Sequence, residues 1–230
     1  MGVVAALASE ARALGPSMRR GGTPPLSELA LGNGYLLALS GIGRAAAAAA
    51  AQSLVDAGVS ALMTFGLAGG LDPALKSGNV VIPCELLSTE GTRYAACRAW
   101  RERVAAAVSP LCVVTEGSLL TSTHAIDTPA DKAAAFRNSG AAAVDMESTA
   151  VAEIAVKHNL PVIAVRVIAD TAADMLPRAV VAASKAGRVR FARLIGGLIL
   201  APHEIASLVR LAQRYRIAMR SLRIVGAHLA

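Results

Sequence analysis

Residues 144–170 read VDMESTAVAEIAVKHNLPVIAVRVIAD, and this stretch is the strongest indicator of fold class in the sequence. Two acids flank Met146 at its start, a stretch with helical spacing follows, and an apolar run ends at Asp170. The pattern predicts a helix over 147–158 and a strand over 161–168. A helix followed by an apolar strand is typical of a covered parallel sheet whose strands are connected by helices.

The same alternation of apolar runs and helical patterns extends through the chain as far as Asp174. Further helices are predicted over 44–56 and 129–138. Further strands are predicted over 3–7, 35–40, 61–65, 79–84, 111–116 and 141–145. Beyond Asp174 only helical patterns remain, so the sequence predicts an α/β fold with a largely parallel, covered sheet and a helical C-terminal tail.

The composition fits one globular domain with a sizeable core. The chain has 230 residues, of which 54% are hydrophobic and 17% charged, and this excludes a disordered or fibrous protein. The uncharged stretch 57–71 is shorter than the roughly 20 apolar residues of a membrane-spanning helix. No basic region precedes the N-terminal apolar run, so no signal peptide is expected. Cys84, Cys97 and Cys112 form no CxxC motif and predict no disulfide, zinc site or other metal site, which favours a cytoplasmic protein.

The positive charge is concentrated in the C-terminal part of the chain. Residues 188–230 contain eight arginines and one acid, which accounts for the whole formal net charge of +7. The sequence therefore divides into a body over 1–187 and a basic, apolar, helical tail over 188–230, packed on the body or appended to it. Arginines alternate with apolar residues over 203–229, which suits either an anionic membrane surface or a packed helix with a solvated basic face. Nucleic-acid binding is disfavoured because base-stacking aromatics are nearly absent.

Several carboxylates lie near the predicted ends of strands. Glu10 follows the first strand, Asp145 and Glu147 follow another, Asp170 follows the last, and the glycine-rich stretch 66–71 follows a third. Ligands of parallel α/β sheets bind beyond the carboxyl ends of the strands, so these residues are expected around one pocket. Each also has a structural interpretation: a charge at a helix start for Glu147 and Asp145, a turn for Asp170, an exposed helix for Glu10.

The stretch SGIGRAA (40–46) matches the G-x-G-x-x-A pattern of dinucleotide-binding folds. That pattern requires an acid at the end of the next strand to bind a ribose, and the next predicted strand ends in TFGLAGG without one. Dinucleotide binding is therefore disfavoured. Two interpretations remain: an anion or polar-ligand cradle at a helix start beside Arg44, or a tight turn.

Four motifs together resemble the purine and uridine phosphorylase superfamily. They are VDMES (144–148), VRVIAD (165–170), SGIGRAAAA (40–48) and FGLAGGLDPALKSGNVVIP (65–83). The resemblance covers 3–174 and is closest to the methylthioadenosine/S-adenosylhomocysteine nucleosidases. The stretch 176–216 is similar to hopanoid-associated phosphorylases. The resemblance implies a three-layer fold with a mostly parallel, mixed central sheet flanked by helices, with residues 1–187 as the catalytic domain.

The activity that the resemblance implies is cleavage of the N-ribosidic bond of a purine nucleoside with release of adenine. The substrate implied by the hopanoid branch is adenosylhopane, a lipid-linked nucleoside, cleaved by phosphorolysis or hydrolysis. A methylthioadenosine-type nucleosidase and a non-catalytic nucleoside or lipid-surface binding protein are the alternatives. No cofactor is implied, inorganic phosphate stays open as a co-substrate, and a homo-oligomer is expected. With a lipid-linked substrate, the cytoplasmic protein is expected at the inner face of the membrane.

The resemblance also implies residue roles. Asp170 matches the aspartate that gives a proton to N7 of the leaving purine, and Glu10 the glutamate that orients the attacking water. Glu147 matches the residue that binds the ribose hydroxyls, with Met146 packed beside the sugar. The base-binding candidates are Ile126, His124 and Asp170. The candidates for a nucleophile or phosphate loop are Gly43, Arg44, Leu67, Gly69 and Gly70.

Three positions depart from the nucleosidase pattern. Leu67 replaces a serine or threonine, Ile126 an aromatic residue that stacks on adenine, and Ala169 a serine. These changes weaken the expectation of efficient methylthioadenosine cleavage. The nucleophile stays open at this point, because Arg44 suits phosphate whereas Glu10 suits water.

Overall fold

The structure is a computed structural model that describes residues 1–15, 19–20, 28–31, 35–176 and 205–229. Its helices are α1 (Ala8–Ala11), α2 (Arg44–Asp56), α3 (Arg98–Val108), α4 (Pro129–Ser139), α5 (Ser148–Lys157) and α6 (Ile205–Leu229), and a 3-10 turn spans Arg12–Leu14. Its strands are β1 (Gly2–Ala5), β2 (Arg19–Arg20), β3 (Glu28–Leu31), β4 (Tyr35–Leu39), β5 (Leu62–Gly70), β6 (Val80–Val81), β7 (Glu85–Ser88), β8 (Arg93–Ala95), β9 (Val114–Thr115), β10 (Ser118–Thr121), β11 (Ala143–Asp145) and β12 (Val162–Asp170).

The described strands form one mixed sheet that branches at β5. The main path runs β2-β3-β4-β1-β5-β11-β10-β7-β8, and β12 pairs with β5 along nearly its whole length. The strands β4, β1, β5 and β12 are parallel to one another, as are β7, β10 and β11. The two parallel groups meet in an antiparallel pairing of β11 with the end of β5.

Helices cover both faces of this sheet. On one face, α2 and α5 contribute mostly alanines to a core cluster that includes Val4, Leu62 and Ile168. On the other face, α3 and α6 pack against Val3, Phe65 and their neighbours. Successive residues of a strand point to opposite faces, so an entirely apolar strand such as β12 serves both clusters. The predicted three-layer architecture with a mixed central sheet is confirmed.

The predicted elements are present, with changed limits. The strand predicted over 61–65 continues through the glycines to Gly70, because β12 pairs with it residue by residue as far as Gly69. The strand predicted over 111–116 is only two residues long in the structure, as β9. Helix α3 and the short strands β2, β3, β7, β8 and β10 were not predicted.

The described part of the basic tail is one long helix. In α6, the buried residues Ala218, Met219, Leu222 and Val225 belong to the core cluster on the α3 face of the sheet. The part of the tail over 188–204 lies outside the described residues. None of the helices in the described ranges is both long and apolar enough to cross a membrane.

Candidate active site

A cavity of about 270 Å³ lies where the sheet branches. Its wall combines the residues after β1, the last part of β5, the residues from the end of β11 to the start of α5, the loop before α4, the end of β12 and one side of α6. The described residues that line it are Ala6, Leu7, Glu10, Ile42, Leu67, Ala68, Gly69, His124, Ala125, Ile126, Val144, Asp145, Met146, Glu147, Ala169, Asp170, Leu176, Leu211 and Tyr215. Glu10, Glu147 and Asp170, although far apart in the sequence, therefore face one space.

The backbone holds Glu10 in a fixed orientation. Its Oε2 accepts hydrogen bonds from the N–H groups of Ala6 (3.1 Å) and Leu7 (2.9 Å), and its Oε1 accepts one from the N–H of Leu67 (2.9 Å). Burial raises the pKa of this carboxyl, whereas Arg166 and the three N–H donors lower it. The side chain fits against β5 because residue 66 is glycine: a Cβ there would lie 2.6 Å from Glu10 Oε1.

A buried ion pair supports the floor of the cavity. Arg166 Nε and Nη2 donate to Asp145 Oδ2 at 3.0 and 2.7 Å, and Nη2 also donates to the Thr64 hydroxyl at 2.6 Å. Asp145 in turn accepts from the Ser148 N–H at the start of α5 (3.1 Å) and from the Thr121 hydroxyl (2.8 Å). Asp145 thus binds the first N–H group of α5 and neutralises Arg166. Arg166 was not among the predicted site residues, although a lone charge inside an apolar strand requires a buried partner.

Glu147 connects α5 to the loop before α2. Its Oε1 accepts a hydrogen bond from the Gly43 N–H (2.8 Å), and its Oε2 accepts one from the Met146 N–H (3.2 Å). Burial and the nearby Asp145 carboxylate raise the pKa of Glu147 to about 7, against the opposing effect of Arg166. Gly43 has φ +103°, a conformation that favours glycine and directs its N–H towards Glu147.

Asp170 is paired with a lysine that the sequence analysis did not identify. The Nζ of Lys132, in α4, donates to Asp170 Oδ2, to the Thr171 carbonyl (2.8 Å) and to the Asp174 carbonyl (3.0 Å). Burial raises the pKa of Asp170, and Lys132 and then Arg214 oppose that rise. The register of β12 against β5 shifts between Ile168 and Asp170, which is where irregular strands often redirect a side chain towards a site.

Helix α6 completes the wall beside Asp170. Arg214 forms an ion pair with Asp174, and its Nη1 also donates to the Thr171 hydroxyl at 2.9 Å. Leu211 and Tyr215, on the same helix, line the cavity. The tail was expected to contact a membrane or to pack on the body, and the sequence analysis assigned no part of it to the pocket.

The predicted site residues fall into two groups. Those that line the cavity include Met146, Ile126, His124, Leu67 and Gly69, besides the three acids. Gly43, Arg44 and Gly70 do not line it. The Arg44 guanidinium donates to the Thr149 hydroxyl at 2.9 Å and lies 3.5 Å from Glu153, so it joins α2 to α5.

The described residues contain no cluster of His, Cys, Asp and Glu that could hold a metal ion. The principal reactive groups of the described cavity are the carboxyls of Glu10, Glu147 and Asp170, in a largely apolar wall. Such an arrangement can give a proton to one part of a ligand and stabilise positive charge on another part.

Known proteins share the family signature and the fold of this chain. The model of the phosphorylase superfamily matches residues 2–200. The chain is similar to the crystal structure of 5′-methylthioadenosine/S-adenosylhomocysteine nucleosidase from Neisseria meningitidis in complex with methylthio-immucillin-A. The TM-score is 0.73 and the identity 20%, with 98% of this chain and 96% of that chain covered.

Two structures from Helicobacter pylori are similar at the same level. Futalosine hydrolase has a TM-score of 0.72 and 15% identity, with 97% of this chain and 95% of that chain covered. A 5′-methylthioadenosine/S-adenosylhomocysteine nucleosidase with butyl-thio-DADMe-immucillin-A has a TM-score of 0.70 and 15% identity, with 97% of this chain and 96% of that chain covered. At these identities the similarity concerns the fold.

Proposed function

Because this chain belongs to the phosphorylase superfamily, we propose that its cavity binds a purine nucleoside and releases adenine by cleaving the N-ribosidic bond. Membership confirms the predicted class of enzyme, a nucleoside phosphorylase or nucleosidase. The observation that carries the proposal is the placement of Glu10, Glu147 and Asp170 around one cavity. A protein that only binds nucleosides has no need of three carboxylates held in this way, which disfavours the non-catalytic alternative.

The chemistry of the N-ribosidic bond explains why one carboxyl is needed beside the sugar and another beside the base. As the C–N bond breaks, positive charge develops on the sugar and negative charge on the base. Glu147, proposed to bind the ribose hydroxyls together with Met146, forms stronger hydrogen bonds as the sugar becomes cationic. Asp170 is proposed to give a proton to the base nitrogen, and its burial raises its pKa and so favours the protonated form.

Water is the nucleophile that the cavity favours. Its described lining includes four acidic residues (Glu10, Asp145, Glu147 and Asp170) and no lysine or arginine. Asp145 and Asp170 already occupy the nearby cations Arg166 and Lys132, so a phosphate dianion would find no free cationic partner in the described wall. Arg44, the predicted phosphate contact, is engaged with α5 instead. Glu10, fixed by three backbone N–H groups, is proposed to orient the water and accept its proton. Hydrolysis is therefore proposed over phosphorolysis.

An apolar 5′ substituent on the nucleoside suits the rest of the wall. Leu67, Ile126, Leu176 and Leu211 are apolar lining residues, and Met175, beside Leu176, is an exposed large hydrophobic residue. These residues support a lipid-linked adenosine such as adenosylhopane as the substrate. His124 and Ile126 are proposed to contact the base, with Leu67 and Gly69 beside the reacting carbon.

Membrane-surface contact and self-association belong to the same proposal. The first half of the described α6 exposes Val209 and Ile217 together with arginines, a combination that suits an anionic lipid surface. Leu111 and Val113 form a separate exposed apolar pair that suits contact with a second copy of the chain. Sedimentation with anionic and neutral vesicles tests the first contact, and light scattering of the purified protein tests the second.

The activity is tested with adenosine and a 5′-alkyl-5′-deoxyadenosine, each with and without inorganic phosphate, by chromatography of free adenine. We expect adenine from the alkylated nucleoside at the same rate with and without phosphate. Glu10→Gln is expected to reduce that rate at least about 100-fold, whereas the exposed Glu90→Gln leaves it unchanged. Bound nucleoside without any adenine would support the binding protein instead, and strict dependence on phosphate would support phosphorolysis.

A further inference from the structure

We propose that Lys132 is a positioning residue for base release: it holds the Asp170 carboxyl by Oδ2 and stabilises the carboxylate that remains after Asp170 gives up its proton. This inference rests on the proposed function, because it assigns Lys132 a task only if Asp170 is the proton donor. The observations behind it are the complete burial of a lysine side chain and the geometry of its three hydrogen bonds.

The hydrogen bonds of Lys132 fit a charged ammonium group. Its Nζ has three acceptors: Asp170 Oδ2 and the carbonyls of Thr171 and Asp174. An ammonium group has three hydrogens to donate, whereas a neutral amine has two. Its side chain is 0% exposed, and lysines are almost never fully buried unless they are paired. Lys132 is therefore a fixed positive charge placed directly behind the proposed acid.

This arrangement determines which oxygen of Asp170 can carry the proton. Since Oδ2 accepts from the ammonium group, a proton on the carboxyl resides on Oδ1. The two carbonyl contacts fix the ammonium group from the loop that follows β12, so the carboxyl cannot rotate without breaking the contact with Lys132. Asp170 lines the cavity, and Oδ1 is the carboxyl oxygen that Lys132 does not contact, so we assign the transferred proton to it.

The C1′–N bond breaks and its electron pair goes to the base, while the Oδ1 proton of Asp170 passes to the base nitrogen. The oxygen of water bonds to C1′, and the water proton passes to Glu10. Asp170 is left as a carboxylate beside the Lys132 ammonium group, so the charge formed in the step is paired as soon as it appears.

Other charged groups around Asp170 do not replace Lys132. Arg214 of α6 is paired with Asp174 at the far side of the loop, and it lowers the pKa of Asp170 less than Lys132 does. The other titratable residues of the described lining near Asp170 are Glu10, Asp145, Glu147, His124 and Tyr215. Among the described residues, Lys132 is the cation whose nitrogen contacts the carboxyl directly.

Lys132→Met tests the proposal, because methionine keeps the length of the side chain and removes its charge. We expect kcat for adenine release to fall at least about tenfold. We expect the alkaline limb of the pH profile to move upward by about one to three pH units, because Asp170 loses its cationic partner. The exposed Lys157→Met should change neither quantity. A folded Lys132→Met protein with wild-type kcat and a wild-type alkaline limb would overturn the proposal.

Two further variants separate charge from packing. Lys132→Arg retains the charge and is expected to keep the alkaline limb near its wild-type position even if its rate is lower; a limb displaced as far as in Lys132→Met would contradict the proposal. Lys132→Gln keeps two donors without the charge. If the methionine variant fails to fold, Lys132→Gln is measured in its place. We expect the same fall in kcat and the same upward shift of the alkaline limb, and wild-type values of both would overturn the proposal.

Thermal unfolding tests the pair without using activity. Lys132→Met and Asp170→Asn are each expected to lower Tm, and the double variant is expected to be at least as stable as the less stable single variant, because no unpaired buried charge remains. Strictly additive losses would overturn the pairing. If the wild-type protein releases no adenine from any nucleoside, the proposed function fails, and the Tm cycle still reports separately on the pair.

Discussion

Glu147 has a carboxyl poised to change its charge near neutral pH. Burial and Asp145 raise its pKa to about 7, and Arg166 opposes them. Only the ionised carboxylate can accept hydrogen bonds from two ribose hydroxyls without also donating. We therefore expect kcat/KM to fall as pH drops below about 7.

Glu147→Gln tests this pKa through stability. A carboxyl whose folded-state pKa exceeds its ordinary value of 4.5 favours folding fully below about pH 4.5, and that contribution is lost as pH rises to about 7. The free energy of unfolding of the wild type should therefore decline by roughly 3 kcal/mol from this group over that window. The free energy of unfolding of the variant should decline less over the same window, as measured by urea unfolding at several pH values. Equal pH slopes in the two proteins would contradict the assigned pKa.

Asp170→Asn is expected to abolish base release and also to weaken the fold. An amide cannot give its proton to the base, so adenine release should stop. The same change leaves Lys132 buried without its carboxylate, a loss of about 3–5 kcal/mol for a buried ion pair. Adenine chromatography and urea unfolding measure the two effects. Wild-type turnover would remove Asp170 from the mechanism, and the exposed Asp56→Asn serves as control.

At the scale of residues, the sequence predicted the acids better than the groups that hold them. Glu147 and Asp170 lie in motifs that carry the resemblance, and Glu10 was identified by its position after the first predicted strand. The structure places all three around one cavity, and their catalytic roles stay predictions. Lys132 lies in an alanine-rich helical stretch and has the appearance of a solvated lysine. Its burial depends on the loop that follows β12, which no local pattern specifies.

At the scale of elements, β5 links the site to the sheet. Its residues pair with β1 at one end, with β11 at the other, and with β12 along its length. Its glycines leave room for side chains that lie across the strand: a Cβ at residue 66 would also lie 2.8 Å from Arg166 Nη1. The strand was predicted to end at residue 65, because glycine is depleted in ordinary strands. Here the glycines allow the strand to pass beneath Glu10 and Asp170.

Gly66→Ala is expected to displace Glu10 and reduce adenine release at least about tenfold. The new Cβ would lie 2.6 Å from Glu10 Oε1, so the carboxylate must leave its backbone donors. Gly69→Ala is the milder comparison, because its Cβ would lie 3.2 Å from Asp170 Oδ2. Steady-state kinetics on both variants measures the difference. A Gly66→Ala enzyme as active as wild type would show that adenine release does not depend on the fixed position of the Glu10 carboxyl.

Helix α6 contributes to stability as well as to the cavity wall. Leu222 is fully buried against the sheet, so Leu222→Ala should lower the free energy of unfolding by about 2–5 kcal/mol. Val209 lies on the same helix and is 51% exposed. Val209→Ala should therefore change the free energy of unfolding by less than about 0.5 kcal/mol. Urea unfolding compares the two. A Leu222→Ala protein as stable as wild type would indicate that the helix is not anchored there.

At the scale of the whole molecule, the alternation of apolar runs and helical patterns predicted the fold class. It did not predict the branching of the sheet. Asp145 ends a strand that runs antiparallel to β5, so the site is not the simple shared edge of one parallel sheet. The direction of β11 depends on its pairing with Gly69 and Gly70, a contact between residues about 75 positions apart in the chain. Short strands such as β7 and β10 owe their existence to their neighbours in the sheet, and four-residue runs carry too little local pattern to predict them.

The packing of α6 against the beginning of the chain has a consequence for biosynthesis. The Tyr35 hydroxyl donates to the Leu229 carbonyl, 194 positions away, and Gly226 lies so close to the Ala13 backbone that a Cβ at residue 226 would overlap the Ala13 carbonyl oxygen. Contacts of such long sequence separation form late, since the intervening chain must first be made and ordered. A nascent chain that has emerged only as far as β12 contains all three acids and lacks the wall formed by Leu211 and Tyr215. The cavity therefore closes only after α6 has left the ribosome.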